Sequence, residues 1–113
     1  MANSFVNKKA DLTSNSATTL YTVTSFSTAV IKSILVSEDS GNADTITVTI
    51  TDTSDNVFSL FKTKSISANA TTELLSAPLI AQESEVIKVT AATANRLHVV
   101  LSALEIKPRD VTS

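Results

Sequence analysis

In the segment "ADTITVTITDTSDN", residues 43–56, positions 45–51 alternate threonine and aliphatic side chains strictly, and residues 52–56 break the pattern. Successive side chains of a strand point to opposite faces, so this segment has one aliphatic face and one threonine face. The aliphatic face comprises Ile46, Val48 and Ile50, and the threonine face comprises Thr45, Thr47, Thr49 and Thr51. The aliphatic face requires a core, which predicts a half-buried strand. The threonine face is either solvated or packed against another chain, and it is our candidate interaction face.

Strand and turn signals recur along the chain at about ten-residue spacing, which is typical of a sandwich or barrel. Alternating segments predict strands at 18–24, 28–37, 44–53, 57–65, 71–76, 86–90 and 96–106, with a further extended piece at 3–12. No capping pattern supports a helix. The sequence therefore predicts an all-β fold, an antiparallel and jelly-roll-like β-sandwich of about eight strands, and a partly closed barrel has the same strand pattern.

Two parts of this pattern predict how strands face and pair. In residues 28–37, Lys32 interrupts the face that carries Ile34, so we expect Ile31 and Leu35 to point into the core. Residues 44–53 and 57–65 are separated by a short polar turn, which predicts a hairpin.

The turns must be built almost without glycine. Gly41, the only glycine, precedes Asn42, and both residue types tolerate positive φ. The remaining turns are predicted at Asp55-Asn56, Asn69 and Asn95, because Asn and Asp accept left-handed conformations at moderate cost.

The chain of 113 residues has the size of one domain. We expect the ends, residues 1–12 and 107–113, to be extended arms, one of which becomes ordered against a neighbouring subunit. No apolar run has the length of a signal peptide or a membrane span, which predicts a protein made in a cytoplasm with no membrane partner.

The inventory of reactive groups predicts no enzyme and no catalytic, cofactor or metal site. Cysteine is absent, and the one histidine, His98, lies mid-strand with no motif that places a nucleophile beside it. Carboxylates in the segments EDSGNA and DTSDN flank turns, and turn chemistry explains them better than a calcium loop does. The net charge is −2 with scattered Lys and Arg, which predicts no nucleic-acid partner.

The segments "TTLYTVT", "VIKSILVSE", "DTITVTITD", "ISANATTELL" and "VIKVTAATANRLHVVLSALEI" together resemble small β-sandwich virion proteins of tailed bacteriophages. The resemblance spans roughly residues 17–106. It implies a non-enzymatic structural protein of the virion that is synthesised in the host bacterial cytoplasm. Its partners would be further copies of itself and other virion proteins, namely the major capsid protein or neck and tail proteins.

Within this class we expect capsid decoration, which reinforces the capsid lattice, and a neck or tail component is the alternative. A second alternative is a host-adhesion or carbohydrate-binding module. Sugar sites commonly stack a ring on an exposed aromatic side chain, and Tyr21 is the candidate for that role because the chain has no Trp.

Overall fold

The computed structural model describes residues 2–107, which form nine strands and no helix. The strands are β1 (Ala2–Asp11), β2 (Thr18–Thr22), β3 (Thr28–Glu38), β4 (Asp44–Thr51), β5 (Val57–Ile66), β6 (Thr71–Glu73), β7 (Leu79–Ala81), β8 (Val86–Ala91) and β9 (Leu97–Lys107). A helix long and apolar enough to cross a membrane is not found among the described residues. The predicted all-β, antiparallel sandwich is confirmed.

The strands form two antiparallel sheets that pack face to face. The first sheet has the order β1-β9-β3-β6, with β7 also paired to β3, and the second has the order β2-β8-β4-β5. β6 and β7 pair with different parts of β3, so they are two pieces of one interrupted strand. This interruption explains why the structure has nine strands where about eight were predicted.

The pairing is that of a jelly roll. With β6 and β7 counted as one strand, the eight strands pair first with last, second with seventh, third with sixth and fourth with fifth. This long hairpin is then folded over, so that β9 also pairs with β3 and β8 also pairs with β4. Two packed sheets with this connectivity define the double Greek-key sandwich.

The core lies between the sheets and is made of aliphatic side chains. Its largest fully buried aliphatic members are Leu12, Ile31, Ile34, Ile46, Ile66, Ile87, Leu97 and Leu101. Each such side chain contributes about 1.5–3 kcal/mol on burial. Ile46 and Val48 are buried, so the aliphatic face of the opening segment does meet the core.

A β-bulge at Lys32 corrects the predicted facing of β3. The register of β3 against β9 shifts between Ile31 and Ser33, which places one extra residue in β3. An extra residue reverses the alternation beyond it. Ile31 is buried as predicted, but Leu35 is 38% exposed, and Ile34 is fully buried in its place.

The N-terminal segment is a strand of the sandwich and not an arm that reaches a neighbour. Residues 2–11 form β1, which pairs with β9 from Ala2 opposite Lys107 to Asp11 opposite His98. The prediction of an arm at residues 1–12 is therefore wrong for this part of the chain. Of the predicted arm at 107–113, Lys107 ends β9, and the rest lies outside the described residues.

The hairpin and the turns follow the prediction. β4 pairs with β5, and positive φ angles occur at Gly41 (83°), Asp55 (65°), Asn69 (56°) and Asn95 (67°). Phe26, between β2 and β3, also has a positive φ of 61°. This value is uncommon for a bulky residue and was not predicted.

Candidate functional site

The candidate interaction face, Thr45, Thr47, Thr49 and Thr51, lies on the outer surface of the second sheet. Its strand, β4, buries Ile46 and Val48 on the inner side and leaves the four threonines half-buried on the outer side. β4 is an interior strand between β8 and β5, so its threonines lie near the middle of the sheet.

Neighbouring strands extend this polar surface in both directions. Thr47 lies opposite Thr90 of β8, and Thr49 lies between Lys88 of β8 and Ser59 of β5. Across β8, Lys88 lies opposite Thr19 of β2. The Oγ1 atom of Thr47 accepts a hydrogen bond of 3.0 Å from the backbone N–H of Thr63, which fixes that side chain. We call this surface of β2, β8, β4 and β5 the threonine face.

The threonine face is polar but weakly charged, with Lys88 near its centre. Removing a neutral hydroxyl from water costs much less than removing an ionised group, and a hydroxyl can regain its hydrogen bond from a partner. The surface can therefore be covered by another protein as readily as by water. Val57, which lies opposite Thr51, adds exposed apolar area at its β5 edge.

Tyr21 does not lie on the surface, which corrects its assignment as a sugar-stacking residue. The side chain is only 2% exposed, because β2 has a bulge between Thr19 and Tyr21 that turns both Leu20 and Tyr21 inward. Its hydroxyl donates a hydrogen bond of 2.5 Å to Oε2 of Glu105, which is itself buried. A ring in this position cannot stack on a ligand in solution.

The pair of Tyr21 and Glu105 joins the two sheets inside the core, since Tyr21 belongs to β2 and Glu105 to β9. Burial raises the pKa of the Tyr21 hydroxyl, and the hydrogen bond to the Glu105 carboxylate and its negative charge raise it further. The ammonium of Lys8, on the edge strand β1, lies 5.9 Å from the centre of the Tyr21 ring. This distance is within the range of a cation–π contact.

The single histidine lies on the outer surface of the first sheet between two carboxylates. Nε2 of His98 is 3.2 Å from Oδ1 of Asp11, and Nδ1 is 3.5 Å from Oδ2 of Asp39. All three side chains are well exposed. Within residues 2–107, no three side chains of the His, Cys, Asp and Glu types converge to hold a metal ion.

A depression of about 370 Å³ at one end of the sandwich is lined by Asp44, Ser65, Thr93 and Arg96. Two of its polar groups are engaged within the fold. Oδ2 of Asp44 accepts a hydrogen bond of 3.1 Å from Thr93 N–H, and Nη1 of Arg96 donates one of 2.9 Å to the carbonyl of Ala43. These groups hold loops together.

The acidic residues beside turns organise those turns, as the sequence predicts. Oδ1 of Asp52 accepts hydrogen bonds from the N–H groups of Ser54 and Asn56. The backbone hydrogen bond from Asn56 is the main cause that lowers the pKa of Asp52.

Glu38 organises two loops at once from a buried position. Its carboxylate accepts hydrogen bonds from the N–H groups of Ser40, Gly41 and Asn69 and from the Ser40 hydroxyl. Burial of this carboxyl raises its pKa, but the hydrogen bonds from Ser40, Asn69 and Gly41 outweigh burial and lower the pKa to about 2. The charged form is thus favoured by folding.

The Glu38 network predicts a specific dependence of stability on pH. A carboxyl whose pKa is lowered by folding stabilises the fold above its ordinary value of 4.5, and the contribution is lost as the pH falls towards 2. Glu38→Gln should therefore lower the thermal unfolding midpoint at pH 7. We expect the difference from wild type to shrink by at least half at pH 2.5. A difference that is the same at both pH values would contradict this role.

Residues on the outer surface of the first sheet were not singled out from the sequence. Phe5 and Ile80 are 80% and 50% exposed there, although both are large and apolar. They lie 75 positions apart in the sequence, so no local pattern could have shown that the same sheet carries them. Glu105 was also not predicted as a functional residue, because its partner Tyr21 is distant in the sequence.

The fold and these surfaces define an antiparallel jelly-roll sandwich with a weakly charged threonine face on its second sheet and no metal-holding cluster of His, Cys, Asp and Glu among the described residues. Comparison with protein-family models, with curated proteins and with solved structures finds no match to this chain.

Proposed function

We propose that this chain is a non-enzymatic structural protein of a bacteriophage virion. In this role it decorates the capsid and reinforces the lattice through protein–protein contacts. A neck or tail position is the alternative within the same class. The protein would be made in the cytoplasm of the host bacterium and would function as a homo-oligomer in contact with other virion proteins.

The threonine face is the observation that carries this proposal. It offers a sheet surface made mainly of neutral hydroxyl groups around Thr47 and Thr49, whose cost of desolvation is low, with Lys88 as the charge near its centre. Structural lattices depend on many such contacts repeated by symmetry. The jelly-roll architecture is also used by viral capsid domains, which is an analogy at the level of the fold.

Mass spectrometry of purified phage particles from the strain that encodes this sequence is the direct test. We expect peptides of the chain at many copies per particle, and cryo-electron microscopy should then locate the protein on the capsid, neck or tail. Particles that lack the chain would overturn the proposal.

Charge placed on the threonine face should block incorporation into particles. Thr47→Lys combined with Thr49→Lys puts two ammonium groups into the contact, where a charge without a partner is costly to bury. We expect incorporation to fall at least tenfold while circular dichroism shows that the variant keeps the wild-type secondary structure. The matched control is Thr13→Lys combined with Thr53→Lys, which adds the same charge at exposed loop positions. Normal incorporation of the Thr47/Thr49 variant would show that this face is only solvated.

A further inference from the structure

The outer surface of the first sheet carries an apolar row that crosses four strands. Phe5 of β1 lies opposite Leu104 of β9, Leu104 lies opposite Val30 of β3, and Val30 lies opposite Ile80 of β7. Leu104 and Val30 are half-buried, whereas the two outer members, Phe5 and Ile80, are the most exposed. An apolar band of this kind, rimmed by polar residues, is typical of an interaction surface.

Two further rows lie parallel to the apolar row. The first is polar and consists of Asn7, Ser102 and Ser33. The second consists of Lys9, Val100, Leu35 and Glu73, so that it has a positive charge at the β1 edge and a negative charge at the β6 edge. We call the surface formed by the three rows the row face.

We propose that the row faces of two copies of this chain pack against each other about a two-fold axis parallel to the strands. This contact supplies the self-association in the proposed function and rests on that function for its biological role. A two-fold rotation of this kind places β1 of one copy opposite β6 and β7 of the other, and β9 opposite β3.

Under this rotation each row of one copy faces the same row of the second copy in the opposite order. Phe5 faces Ile80 of the second copy, and Leu104 faces Val30 of the second copy, so apolar side chains cover each other. Lys9 faces Glu73 of the second copy, and each such pair occurs twice. The polar rows also coincide, with Ser102 facing Ser33 of the second copy. Lys32, which protrudes from the bulge, faces the Ser102 hydroxyl and the Asn7 amide, both of which can accept its hydrogen bonds.

The order of the charges is what favours a second copy over an unrelated partner. A single sign of charge on the row face would repel another copy, but here the signs lie at opposite edges of one row. The Glu73 carboxylate is also fixed in place by hydrogen bonds from the Ser33 hydroxyl and from the N–H groups of Ile34 and Leu75. The rows therefore form a self-complementary surface, which is what an isologous two-fold contact requires.

The expected contact is of modest size. Four strands at about 4.8 Å spacing and about nine residues at 3.3 Å rise, which is the length of the three rows plus the flanking outward rows through Asn3 and Asp11, give a face of roughly 600 Å² per copy. The total of roughly 1,200 Å² lies at the lower end of specific interfaces. Face-to-face sheets of this kind pack with their strands aligned to within about 30°. We therefore expect a dimer with a dissociation constant on the order of micromolar.

Sedimentation equilibrium of the full chain over a range of concentrations tests the proposal. Wild type should pass from monomer to dimer on the micromolar scale. Phe5→Ser should weaken association at least tenfold, and Lys9→Glu should weaken it several-fold because it places two negative charges opposite each other. The matched controls are Phe58→Ser and Lys62→Glu, which make the same changes at exposed positions of the second sheet and should change association less than twofold.

Circular dichroism of each variant checks that the fold is retained, as expected for exposed side chains. A wild type that stays monomeric at millimolar concentration, or that forms a closed ring of three or more copies, would overturn the proposal. So would controls that weaken association as much as the row-face variants do. The threonine-face variant Thr47→Lys/Thr49→Lys should dimerise normally. A threonine-face variant that dimerises but is not incorporated into particles would support both proposals separately. A wild type that is incorporated into particles but does not dimerise would overturn this inference and leave the proposed function standing.

Discussion

Replacing Ile34 by alanine is expected to lower the free energy of unfolding by about 2–5 kcal/mol, the usual range for an aliphatic side chain removed from a packed core. Ile34 is fully buried between the sheets. Leu35→Ala, at the next position of β3, should cost less than about 1 kcal/mol because Leu35 lies on the outer surface. Denaturant unfolding at a protein concentration where the chain is monomeric measures both values.

The comparison of Ile34→Ala with Leu35→Ala tests the bulge at Lys32. Without the bulge, the alternation that starts at buried Ile31 would place Leu35 in the core and Ile34 outside. Equal losses for the two variants, or a larger loss for Leu35→Ala, would contradict the register of β3 against β9.

Tyr21→Phe is expected to lower the free energy of unfolding by about 2 kcal/mol. The change removes only the hydroxyl, but that hydroxyl is the hydrogen-bond donor to the buried carboxylate of Glu105. Hydrogen bonds to charged groups contribute about 1.5–3 kcal/mol, and a buried group left unpaired has a further cost. Denaturant unfolding gives the value directly.

A double-mutant cycle separates the pair from the rest of the core. Tyr21→Phe combined with Glu105→Leu removes both polar groups, and such a replacement of a buried polar pair is often neutral. We expect the double variant to be more stable than Tyr21→Phe alone. If the losses in unfolding free energy of Tyr21→Phe and of Glu105→Leu added up to the loss of the double variant, the hydroxyl and the carboxylate would not interact in the folded protein.

Local sequence pattern was sufficient for most of the architecture. Alternation identified β4 and β5 and their hairpin, and Asn and Asp marked the left-handed turns at Asp55, Asn69 and Asn95. These features depend on residues close together in the chain. The all-β class follows from them because no segment offered a competing helical period.

The features that were missed depend on irregularities or on distant contacts. A single extra residue at Lys32 reversed the faces of β3, and another bulge buried Tyr21. Neither bulge has a glycine or proline to mark it in the sequence. The apolar row also could not be read locally, because Phe5 and Ile80 come onto one surface only when the two edges of the first sheet are assembled around β9 and β3. The threonine face, by contrast, lies on one strand and could be seen in the sequence.

The jelly-roll pairing also sets the order in which the chain can fold. β4 and β5 are separated by a short turn, so their hairpin closes with little loss of chain entropy, whereas β1 and β9 come from opposite ends of the described chain. β9 pairs with β1 and β3, and β8 pairs with β2 and β4. β8 and β9 are therefore synthesised after the strands with which they pair. A nascent chain on the ribosome therefore holds β1, β2 and β3 without their main partners until β8 and β9 emerge. Folding should be slow and largely post-translational, since topologies dominated by long-range pairing cross high entropic barriers. During that interval the unpaired edges of β1 and β3 are exposed to other nascent chains.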